Sequence, residues 1–148
     1  MYKERSKSMN HQHMFDAAKE VSQNADYSGA NNVKIGCVIV YKGTILAKGC
    51  NSDKTHPMQE QYNRYRFKKE KGEKYLPAKR HAEVAALAKI KYLDIDFSAA
   101  HIFVYREFKD GHKAIARPCP ACMNALKAQG IKKVHYTTTD GYAYEKID

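Results

Sequence analysis

The chain has 148 residues, 43% of them hydrophobic, which is enough for one domain with a real core and too apolar for a disordered chain. Lys and Arg number 26 against 16 Asp and Glu, a formal net charge of +10, so an anionic partner fits, whether a free nucleotide, a nucleic acid or only solvent counter-ions. No apolar run approaches the roughly 20 residues of a membrane helix, and the polar opening MYKERSKSMNHQHMFDAA has no signal-peptide apolar core, so no membrane partner is expected and the cytoplasm is the expected location.

From about Asn10 to Asn24, Met14, Ala17, Ala18 and Val21 recur at helical spacing. Residues 28–32, SGANN, break the pattern. In VKIGCVIVYKGTILAKGCN, two β-branched runs flank Tyr41-Lys42-Gly43 and predict a hairpin. Its first arm is nearly all apolar, as for a strand buried on both faces. Residues 52 to about 80 form a basic insert of weak periodicity. Between Lys54 and Arg80, nine Lys or Arg stand against three Glu, which places six of the net positive charges there. A second helix is predicted from about Lys79 to Tyr92, and HIFVYREF reads as a third strand. Asp110-Gly111 is a turn, after which HKAIARP is expected to return as a short hairpin arm. A third helix runs from Cys119 to Gln129 and is stopped by Gly130; IKKVHYTT follows as a strand, and Thr139-Asp140-Gly141 turns into the tail YAYEKI. Strand–helix–strand crossovers make part of the sheet parallel. The expected fold is α/β: one domain over residues 1–148, built as a three-layer α/β/α sandwich with a mixed sheet of about five strands.

Two short stretches carry chemistry. Cys119 and Cys122 are spaced C-x-x-C within PCPAC at a helix start, where the helix N-terminus favours thiolate charge. Four cysteines in a reducing compartment are thiols or metal ligands before they are disulfides. A catalytic zinc takes three protein ligands and keeps a place for water. His81, in HAEVAAL, is the candidate third ligand. It too opens a helix, and the two helix starts can meet above one sheet edge. Glu83, two residues on, can then face the water without binding the metal. Such a carboxylate can take a proton from that water and pass it to a ring nitrogen and a leaving amine. Each residue has an ordinary explanation alone: a first-turn helix charge for Glu83, a half-buried histidine for His81, a redox or structural-zinc pair for the cysteines. Together they point to hydrolytic deamination.

The pairing of H-A-E with P-C-x-x-C resembles the signature of the zinc-dependent cytidine deaminase superfamily. GCN at 49–51, the long insert and GIKKVHYTT resemble its deoxycytidylate deaminase branch most. The resemblance implies Zn2+ as cofactor, with His81, Cys119 and Cys122 as ligands and Glu83 as proton shuttle. It implies Asn51 and Ala82 as substrate contacts and a cytosine nucleotide as substrate, dCMP converted to dUMP with release of ammonia. Assembly as a homo-oligomer is implied as well. Arg64 and Arg66 in the insert are candidates for the phosphate. Two features depart from the branch. Lys79 stands where a second-zinc histidine often sits, so one zinc is expected, and REFKDGHKAIAR lengthens the path into the cysteine pair.

Two other functions remain open on the sequence. Deamination of cytosine or adenine within RNA or single-stranded DNA would use the basic insert and the tyrosines as a binding surface. A non-catalytic zinc-stabilised binding module would leave Glu83 without a task. Cys37 and Cys50 read as buried strand thiols. His56, His101, His112 and His135 have no motif and read as structural or exposed, and Tyr142 and Tyr144 read as packing residues before base-stacking ones.

Overall fold

The computed structural model describes residues 10–25, 33–52, 57–63, 81–108 and 110–147. Strands β1 (Lys34–Tyr41) and β2 (Thr44–Cys50) form the expected hairpin. Its two turn residues, Lys42 and Gly43, both sit at positive φ, 51° and 82°, as a two-residue turn of primed type requires. Cys37 to Val40 are fully buried, because β1 lies inside the sheet with helices on both of its faces. β3 (Ala100–Glu107) pairs antiparallel with the other side of β1, β4 (Lys133–Thr137) runs parallel to β3, and β5 (Tyr142–Lys146) closes the sheet antiparallel to β4. The strand order is β2-β1-β3-β4-β5. The single parallel pair is the one joined through a helix, α4 (Pro120–Gln129), as the crossover rule demands.

Helix α1 (His11–Ser22) covers one face of the sheet, where Met14, Phe15 and Val21 pack on Val38, Val40 and Phe103. Helices α3 (Ala82–Ile90) and α4 cover the other, around Ile39, Leu87, Ile102, Leu126 and Val134. This is the three-layer mixed five-stranded sandwich expected from the sequence. A seven-residue helix, α2 (Pro57–Asn63), lies in the stretch whose weak periodicity predicts no element, and it packs against α3 and α4.

Two expectations need correction. HKAIARP forms no strand: Lys113 makes one isolated bridge to Glu107. Beyond it the Ala114 N–H donates to the Arg106 carbonyl and the Ala116 N–H to the Thr137 carbonyl, so the segment is handed from β3 to β4 instead of pairing along one of them. The second helix begins at Ala82 with His81 as its N-cap and ends at Ile90, two residues short of Tyr92; Lys79 lies outside the described residues. Among the described residues no helix is long and apolar enough to cross a membrane.

Candidate active site

Helix α3 can lie directly on β2 because residue 49 has no side chain. A Cβ there would stand 2.4 Å from the Ala82 carbonyl oxygen and 2.6 Å from the Ala86 nitrogen, distances that no packed methyl tolerates. The thiol of Cys37, on the neighbouring strand, donates to the same Ala82 carbonyl at 3.2 Å. The first turn of α3 is thereby gripped from the sheet side. Its N-cap, His81, has extended backbone and its ring makes no capping hydrogen bond to the helix. Helix α4 opens in the same way: Cys119 is its N-cap, Pro120 occupies the first turn without needing a donor N–H, and Cys122 follows one turn inside.

These two helix starts bring three donors together. The Nδ1 of His81 lies 3.6 Å from the Cys119 sulfur and 3.3 Å from the Cys122 sulfur, and all three ligand atoms fall within 4.8 Å of one another. Zn–S bonds of about 2.3 Å and Zn–N bonds of about 2.0–2.1 Å at tetrahedral angles place nitrogen and sulfur roughly 3.5 Å apart, so the donor set fits that ion. Among the described residues it is the only group of three or more His, Cys, Asp or Glu that converges in this way.

Glu83 is buried beside the group, with Oε1 3.6 Å from the Cys122 sulfur. Burial raises its carboxyl above the usual range, opposed by the charge of His81. Raising the carboxyl above its usual range makes it a better proton acceptor. The two thiols differ sharply. A hydrogen bond from the Cys122 thiol, with help from His81, brings Cys119 down to about 4 despite its burial. Cys122 moves well up, because it keeps the shared proton and is buried.

The sequence matches the cytidine and deoxycytidylate deaminase zinc-binding region over residues 8–138. The chain belongs to that family. It is a zinc-dependent hydrolytic deaminase by that membership and by the His/Cys/Cys group able to hold the metal. Solved structures agree in fold. Cytidine deaminase from Burkholderia pseudomallei is 20% identical, with a TM-score of 0.62 over 93% of each chain. Cytidine deaminase from Mycobacterium leprae is 16% identical, with a TM-score of 0.55 over 93% of this chain and 94% of that one. The dCMP deaminase of cyanophage S-TIM5, solved in complex with dCMP and dUMP, is 25% identical, with a TM-score of 0.53 over 86% of this chain and 79% of that one. No curated protein matches the sequence.

The remaining candidates fall less simply. Asn51 is buried at the end of β2, and its amide is engaged: Oδ1 accepts from the Ile35 N–H at 3.0 Å and Nδ2 donates to the Val33 carbonyl at 2.9 Å. It ties the exit of β2 to the entry of β1. Ala82 is fully buried, its methyl in the core and its carbonyl held by Cys37. Arg64, Arg66 and His56 lie outside the described residues. The sequence reading missed Gln59, a fully buried side chain on α2 whose Oε1 accepts the backbone N–H of His81 at 3.0 Å. Pro57 followed by Met-Gln-Glu-Gln was the available signal, a first-turn proline ahead of good helix formers.

Proposed function

We propose that the protein deaminates a free cytosine deoxynucleotide, dCMP to dUMP, with His81, Cys119 and Cys122 holding the zinc and Glu83 moving the protons. The observation that carries this reading is the buried carboxyl of Glu83, raised by its burial, against a convergent His/Cys/Cys group. A structural zinc has no use for such a carboxylate. Zinc held by these residues supplies the Lewis acidity that brings the pKa of water toward about 7. Glu83 takes the proton released as water oxygen bonds to C4 of the base, and delivers it to N3. It then carries a second proton to the exocyclic nitrogen, the C4–N4 bond breaks and ammonia leaves, with a carbonyl left at C4.

Support for a nucleotide comes from the net charge of +10, six units of it in the basic insert, and from the 25% identical relative solved with dCMP and dUMP. Arg64 and Arg66 are assigned to the phosphate on charge. Asn51 keeps one amide hydrogen and one lone-pair direction beyond its two backbone bonds, which suits it to a sugar hydroxyl, and the backbone of Ala82 is assigned to the base. A homo-oligomer is the proposed assembly. The test is ammonia release by the zinc-loaded enzyme across dCMP, CMP, deoxycytidine, cytidine, and cytosine- and adenine-containing oligonucleotides. Turnover of dCMP with little on the rest is expected. Turnover confined to nucleosides or to oligonucleotides overturns the substrate assignment, and none on any of them overturns the reading.

A further inference from the structure

We propose that Gln59 is a positioning residue for the metal centre, and that helix α2 thereby builds part of the basic insert into the zinc site itself; this rests on His81 being a zinc ligand, as read above. The N–H of His81 sits at the N-cap of α3, in extended backbone at φ −83° and ψ 159°, outside the helix's own hydrogen-bond ladder. Gln59 supplies the acceptor instead, 3.0 Å away, from a side chain with no exposed surface. A buried glutamine is tolerated only where its polar atoms are bonded, since each one left unpaired costs free energy. Its burial therefore has a purpose that a leucine at residue 59 would serve better if packing were the only task. Met58 and Tyr62, on the same helix, pack on the core between the sheet and α3 and α4, so Gln59 is delivered by a seated helix.

The HAE turn is then held from two sides. The Cys37 thiol on β1 takes the Ala82 carbonyl from the sheet side, and Gln59 takes the His81 N–H from α2. Holding the peptide that enters His81 and the peptide that leaves Ala82 narrows the directions in which the His81 ring can point. Groups that orient a metal ligand typically set metal affinity by about 10–100-fold.

The test compares wild type with Gln59→Met, which keeps length and volume but removes the acceptor, and Gln59→Asn, which withdraws the amide by one methylene. Zinc release into excess chelator is followed for each, together with the absorption spectrum of the cobalt-substituted protein. Release at least tenfold faster than wild type, with a shifted cobalt spectrum, is expected for both variants. If Gln59→Met does not fold, Gln59→Asn alone is read in the same way. Release within threefold of wild type and an unchanged cobalt spectrum overturn the inference, because a residue that only fills space would give that result. His81→Ala separates this failure from failure of the site reading: if that variant keeps zinc as wild type does, His81 is not a ligand and the premise falls. If it loses zinc while the Gln59 variants hold it normally, only the role of Gln59 is wrong.

Discussion

Histidine lies on both faces of the sheet, with opposite consequences. On the α1 face, His11, His101 and His135 crowd a cavity of about 430 Å3 with Phe15, Tyr142 and Tyr144. His135 stacks on Phe103 at 4.2 Å between ring centres, and its Nε2 lies 2.8 Å from the Nδ1 of His101, one proton shared between two neutral rings. On the α3/α4 face a single histidine meets two sulfurs and a buried carboxylate. Among the described residues the three imidazoles form no convergent ligand group, whereas the one imidazole and the two thiols at the helix starts form a group that could hold a metal. Ring stacking uses the faces of His101 and His135, and burial keeps those two rings uncharged. Their part is packing.

Variants on the two faces should therefore separate metal chemistry from stability. The largest effect is expected from Cys119→Ala: with one of three protein ligands gone, bound zinc measured by atomic absorption should fall from about one per chain to near zero, and turnover with it. Glu83→Gln should keep the zinc and lose about 10²–10⁴-fold in kcat, the usual worth of a positioned acid–base group. Gly49→Ala, far from any ligand in sequence, must push the first turn of α3 off the sheet. It should cost about 1–3 kcal/mol of stability in chemical denaturation and about 10²-fold in kcat, since displacement of the site by about 1 Å is enough for that.

The smallest effect on the chemistry is expected from His135→Phe, which keeps the ring stack and removes the bond to His101. Zinc content and kcat should stay at wild-type levels. Acid stability should change. Burial holds His135 down to about 3 and His101 down to about 4, both from the usual 6.5. In that window the unfolded chain binds more protons than the folded one, so these residues stabilise the fold above pH 6.5 and their contribution is lost as pH falls from 6.5 toward 3. The denaturation midpoint of His135→Phe should decline less over that range than that of wild type. An equal decline, or loss of zinc, would contradict the division of labour between the two faces.

The convergent His/Cys/Cys group was legible because each part is local. A helix start with His-Ala-Glu and another with Cys-Pro-Ala-Cys can be read from spacing alone, and the one parallel pairing follows from the crossover through the second of these helices. The hairpin was legible for the same reason, through β-branched runs and Lys-Gly. What the sequence hid depends on contacts between distant segments. Gln59 is one polar residue in an aperiodic stretch, and only the docking of α2 brings it to His81, 22 residues away. His101 and His135 alternate with apolar neighbours as any half-exposed strand residues do; their bond needs the β3/β4 register, which no local pattern encodes. HKAIARP looked like a strand because alternation cannot distinguish a segment that pairs along one partner from one passed between two.

The most direct test of the account is zinc K-edge X-ray absorption on the purified protein carrying one zinc per chain. The result predicted is two sulfur neighbours at about 2.3 Å and two lighter neighbours at about 2.0–2.1 Å, with His81→Ala and Cys122→Ala each failing to retain the ion. Four sulfurs, or a shell with none, would contradict it.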